Sequence, residues 1–173
     1  ERQRALPTYF LLQVPPISNI TYDLRLPPST LRPTLLQGYL NFDEPFSISS
    51  LRPRSIHLIS KDFPWTVVIH ESTRGAGVTC RDAVCGLYDA LQVPLTDVDW
   101  GYVSESERRR ERVLRAWKRR ERLLKGATGL KRVDLLGRRC RLQGFRKDED
   151  FVRRRVFPGT RRVVDTWVVC FVH

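Results

Sequence analysis

Apolar and polar residues recur along this chain with two different periods, and the changes of period mark the expected elements. Residues 54–60 (Arg-Ser-Ile-His-Leu-Ile-Ser) and 65–70 (Trp-Thr-Val-Val-Ile-His) are β-branched runs of strand length around a Lys-Asp-Phe-Pro turn. They predict neighbouring strands. After Gly75-Ala76-Gly77 the spacing becomes helical: Ala83, Val84, Leu87, Tyr88 and Leu91 line one face, and Thr79 with Asp82 forms a capping box. The prediction is a helix over 80–92, stopped ahead of Pro94. A second capping box, Ser104 with Glu107, predicts a helix over 104–125 that ends at Gly126, with Val113, Leu114, Trp117 and Leu124 as a narrow apolar stripe. Glu111–Arg115 and Glu121–Lys125 stand as i,i+4 pairs on it.

Beyond Gly129 the period returns to two. Residues 131–136 and 139–145 predict two strands around a Gly137-Arg138 hairpin turn, with Cys140 and Leu142 facing inward and Arg139, Arg141 and Gln143 facing out. Residues 163–172 are apolar on both alternating faces apart from Asp165 and Thr166, as in a strand buried on two sides. Arg153 to Arg155 and Arg161-Arg162 flank Pro158-Gly159, which predicts a basic loop or protruding hairpin. Nine of the eleven prolines fall within residues 1–64, which argues against long helices there and for extended segments with short strands at 22–26 and 35–42.

These elements make an α+β fold: a mostly antiparallel sheet packed by two main helices, 80–92 and 104–125. An extended Pro-rich segment, 1–19, precedes a single domain over 20–173. With 173 residues, one core suffices, since a fold of this size buries roughly 70% of its unfolded surface. No apolar run reaches the roughly 20 residues of a membrane helix, and no signal-peptide pattern opens the chain, so we expect a non-membrane protein. A chain that starts at Glu1 and contains no Met leads us to expect a piece of a longer product.

Charge changes the picture more than composition does. The net charge is +12, yet residues 1–100 carry 9 basic and 10 acidic residues while 101–173 carry 22 and 9. All of the excess lies in the C-terminal part. Of the 31 basic residues 26 are arginine, whose planar fork suits phosphate or carboxylate. Residues 105–125 alone hold ten basic and four acidic side chains.

Several short segments together resemble a domain of unknown function widespread in basidiomycete fungi. They are Tyr22-Asp23-Leu24-Arg25 with Pro27-Pro28-Ser29-Thr30, Val78-Thr79-Cys80-Arg81-Asp82-Ala83-Val84, Arg132-Val133-Asp134-Leu135-Leu136 and Arg141-Leu142-Gln143-Gly144-Phe145. The resemblance spans roughly residues 20–172. The family typically has Trp where this chain has Tyr22, and a closing strand containing Trp, here Trp167. It implies a fungal, intracellular origin and a domain boundary, and it assigns no catalytic residue.

Candidate chemistry is sparse. His57 and His70 read first as ordinary strand histidines, and only if their strands were adjacent and met Asp62 or Asp82 would they form an acid/base group; Cys80 in the first turn of a helix would gain thiolate character but still needs a partner base. Cys80, Cys85, Cys140 and Cys170 lack the paired spacing of zinc ligands or of a disulfide scaffold, so reduced thiols are expected. Gly75-Ala76-Gly77 lacks the rest of a phosphate-loop signature. No catalytic residue, metal or cofactor is assigned.

The feature left is the basic helix. Its Arg108, Arg109, Arg112, Arg115, Arg119 and Arg120, extended by Arg139 and Arg141, read either as an ordinary solvated face partly neutralised by four acids of the helix or as an anion- or partner-binding surface. The leading expectation is a non-enzymatic intracellular interaction domain that docks an acidic protein partner. The alternatives are sequence-nonspecific nucleic-acid binding by the same surface, and a small enzyme using Cys80 or His57 and His70.

Overall fold

A computed structural model describes residues 22–31, 42–47, 52–126, 129–155 and 165–172. Its centre is a five-stranded mixed sheet in the order β1-β4-β5-β2-β3, formed by Tyr22–Asp23 (β1), Ser55–Ile59 (β2), Val67–His70 (β3), Arg141–Arg146 (β4) and Thr166–Val172 (β5). Only the β2–β5 pairing is parallel; the others are antiparallel. Among the described residues the α-helices are Cys80–Gln92 (α1), Asp97–Ser104 (α2), Glu107–Leu123 (α3) and Glu149–Arg155 (α4). The fold class is therefore α+β, as the periodicity predicts.

Helix α1 occupies the predicted bounds because both halves of its capping box form: Thr79 Oγ1 accepts from Asp82 N at 3.1 Å, and Asp82 Oδ2 accepts from Thr79 N at 2.9 Å. Its buried face, Cys80, Ala83, Val84, Leu87 and Leu91, packs on Ile56, Leu58, Val67 and Ile69 of the sheet. Full burial of each such leucine contributes about 1.5–3 kcal/mol. Gly86 permits the close approach, since a Cβ there would lie 2.5 Å from Ile69 Cδ1. Strand β5 is central, between β4 and β2, which accounts for burial of Thr166, Trp167, Val168 and Val169 in succession.

The helix predicted over 104–125 is α3, Glu107–Leu123, and a separate helix, α2, precedes it. Ser104 ends α2, and Ser106, in an extended conformation, precedes α3 without a side-chain cap. The Ser104–Glu107 box therefore does not form. Helix α2 carries the operative cap: Thr96 and Asp99 exchange both bonds, and Arg132 holds the Asp99 carboxylate at 2.9 Å. Thr96-Asp97-Val98-Asp99 repeats the Thr-x-x-Asp pattern of α1 and was the available sequence signal. Glu111 and Arg115 do pair, at 3.3 Å, whereas Lys125 lies beyond the end of α3 and forms no ion pair with Glu121 among the described residues.

The predicted strand over 131–136 is instead a 3-10 helix, Arg132–Leu136. Asp134 Oδ2 accepts from Lys131 N at 2.9 Å, a local bond that competes with a strand ladder, and the same carboxylate is claimed by Arg120. Gly137 consequently closes that helix and makes no hairpin turn. The second arm does become β4, with Cys140 and Leu142 buried, but a register shift between Leu142 and Gly144 breaks the alternation, so Gly144 and Phe145 are both buried. Arg153 to Arg155 end helix α4 rather than lying in a loop. β1 is shorter than the predicted 22–26 because Leu26 N donates to Asp23 O and curls the chain. The extended segment 1–19, most of the expected strand at 35–42 and the Pro158-Gly159 turn lie outside the described residues.

Candidate functional site: an arginine cleft

Helix α3 buries Val113, Ala116 and Arg120, so its inward stripe differs from the apolar one by containing an arginine. Arg120 is 0% exposed, and its guanidinium grips Asp134 through Nε at 2.9 Å and Nη2 at 2.8 Å while Nη2 also donates to Gly129 O at 2.7 Å. Predicted as a partner-binding residue, it is internal. The pair fixes α3 against the 132–136 segment, and with Val113 packed on Leu135 and Val103 it sets one wall of a cleft relative to the other.

That cleft has a volume of about 580 Å³. Helix α3 contributes Arg109, Arg112, Arg115 and Arg119; the facing wall contributes Leu135, Leu136, Arg138 and Arg139; Lys61, Asp62 and Tyr102 complete the lining. Among the described residues, six arginines and a lysine thus line the cleft with one carboxylate, Asp62, while Glu105 and Glu111 pair with two of the arginines from outside the lining. On a rise of 1.5 Å per residue, Arg109 to Arg119 make a row of roughly 15 Å.

Local partners set the orientation of several guanidiniums. Arg109 lies over the Tyr102 ring at 4.0 Å, donates to the Tyr102 carbonyl and pairs with Glu105 at 3.1 Å, which ties the α2–α3 junction together. Arg115 pairs with Glu111, and Arg139 with Asp62 at 3.2 Å, which draws the β2–β3 turn to the cleft. Arg119 Nη2 donates to Gly137 O at 3.3 Å, and the Arg112 stem packs on Gly137, 3.0 Å from where a Cβ would stand. Gly137 has φ +68°, a conformation that strains any side chain, and a Cβ there would also press on the Arg112 stem.

Of the predicted residues, Arg109, Arg112, Arg115, Arg119 and Arg139 line the cleft together. Arg108 is exposed but outside it, Arg120 is internal, and Arg141 stands across from Asp23 at the β1–β4 edge. Sequence reasoning missed Arg138 and Lys61. Arg138 was readable as the neighbour of Arg139; Lys61 carried no signal, because only folding brings it to residues far along the chain.

The other candidates do not assemble. Cys80 is 0% exposed, and burial, followed by the nearby Glu44 charge, pushes its thiol up to about 12, opposite to the expected helix-terminus effect. His57 and His70 sit on the outward face of β2 and β3, and neither hydrogen-bonds Asp62 or Asp82 among the described residues. Burial, then the His70 charge, lowers the His57 pKa. The four cysteines are free thiols, and no group of three or more potential metal ligands occurs among the described residues. No described helix is long and apolar enough to cross a membrane.

No curated protein and no solved structure matches the chain. The sequence model of one family does match, over residues 20–154, which contain both walls of the cleft. The chain accordingly belongs to DUF6699, a family of unknown function.

Proposed function

We propose that this chain is a non-enzymatic interaction domain that docks an acidic segment of a protein partner in the arginine cleft. The observation that carries this reading is that seven cations and one carboxylate are the charged residues described in the lining of a cleft of about 580 Å³, and Glu105 and Glu111 neutralise only two of the seven from outside it. That volume is in the range of a cleft that encloses a ligand. Nucleic acid is less well served. Single strands bind by stacking bases on open aromatic faces, and the lining's one aromatic, Tyr102, is covered by Arg109. Nothing in the surroundings of Cys80, His57 or His70 favours catalysis. The fungal, intracellular origin implied by the short sequence segments belongs to the same proposal.

Fluorescence anisotropy with a labelled oligoglutamate and with a single-stranded RNA of equal charge tests it. The peptide is expected to bind, to weaken steeply as salt rises from about 50 to about 300 mM, and to lose binding with Arg112→Glu and Arg115→Glu. Arg108→Glu, outside the cleft, is the control and should change little. Unchanged peptide binding in the cleft variants sinks the proposal, and tighter RNA binding that depends on the same arginines replaces it with the nucleic-acid reading.

A further inference from the structure

The arginines of the cleft are not equivalent. Arg109, Arg115 and Arg139 each have a carboxylate partner, in Glu105, Glu111 and Asp62. Arg112, Arg119 and Arg138 have none among the described residues, and all three line the cleft at or beside the Gly137 turn. The Arg112 stem lies on Gly137, Arg119 donates to its carbonyl, and Arg138 follows it in the chain. The facing wall is held by the buried Arg120–Asp134 pair, so the three forks are presented from a fixed frame.

Three arginines without a carboxylate partner in one cleft repel one another, and one carboxylate supplies a single negative charge and two oxygens to offset this. A phosphate monoester supplies close to two charges and three acceptor oxygens. Planar forks bind such oxygens in pairs. A phosphodiester, with one charge and two free oxygens, matches less well. We infer that the Gly137 turn is a phosphate-monoester subsite, and that the acidic segment taken by the cleft is a phosphorylated one. This rests on the acidic-partner reading above and adds its chemistry. The source is a protein segment rather than free phosphate, because the cleft also holds Arg109, about one turn before Arg112, and Arg115, between Arg112 and Arg119, whose solvent-accessible pairs with Glu105 and Glu111 can exchange for carboxylates flanking a phosphoserine.

The test uses the whole chain and three labelled peptides that differ only at a central phosphoserine, serine or glutamate within flanking glutamates. The phosphoserine peptide should bind about tenfold tighter than the glutamate peptide. Arg138→Gln and Arg112→Gln should bring those two affinities together, whereas Arg115→Gln should weaken both alike. Arg138 is exposed, so its variant separates recognition from folding, with unchanged circular dichroism as the check. Asp62→Asn, which removes the one carboxylate of the lining, should tighten the phosphoserine peptide. Equal binding of the phosphoserine and glutamate peptides overturns the subsite and leaves the acidic-partner reading standing. Displacement of the phosphoserine peptide by equimolar inorganic phosphate overturns the protein source. Failure of all three peptides, with RNA bound, overturns both readings.

Discussion

Arg120 is the residue on which the site depends without belonging to it. A buried ion pair stabilises little on its own, because desolvation offsets much of its attraction, yet removing one partner strands the other charge. Arg120 and Asp134 are 0% and 2% exposed at their side chains. Arg120→Met is therefore expected to cost about 3–5 kcal/mol, and Arg120→Met with Asp134→Leu to recover most of that loss. Chemical denaturation of the two single variants and the double variant measures this. A double variant as unstable as the singles would show that Arg120 acts through something other than its charge. In the sequence Arg120 was indistinguishable from its neighbours. Burial is a property of the facing surface, and the acid that receives it stands 14 residues away.

Among the elements, α2 decides where α3 begins. Its cap places Asp99, 6% exposed, where burial raises the carboxyl pKa while the Arg132 fork and the Thr96 N–H and hydroxyl lower it, with a net depression. A depressed folded-state pKa contributes stability that is present above the unfolded value of about 3.9 and lost as pH falls through the folded value. Asp99→Asn should accordingly cost about 1–2 kcal/mol at pH 7, and the cost should shrink as pH falls below about 4. Urea midpoints at the two pH values check both the size and the sign. Elements signalled by local pattern, α1 and β2 to β5 in their main extents, were legible from period and caps. The 132–136 segment was not, because its alternation suits a strand while Asp134 bonds its own turn and Arg120.

For the molecule as a whole, a net charge of +12 opposes compaction through long-range self-repulsion. The described ion pairs, at 3.9 Å or less, are too short-ranged for salt to weaken them comparably at a Debye length of about 8 Å. The thermal midpoint is thus expected to rise between about 20 and about 150 mM sodium chloride, as a calorimetric or dichroism melt would show, and a falling midpoint would mean that the ion pairs outweigh the repulsion. The sequence by itself determined the α+β class, the bounds of α1, the central buried strand and the concentration of arginine in the C-terminal part. Periodicity, capping and composition are local, and a linear reading carries them. Only the tertiary structure decided which arginines are internal, which are paired and which line the cleft beside Gly137. Those outcomes depend on distances between segments remote in the chain, as when Asp62 meets Arg139 across 77 residues.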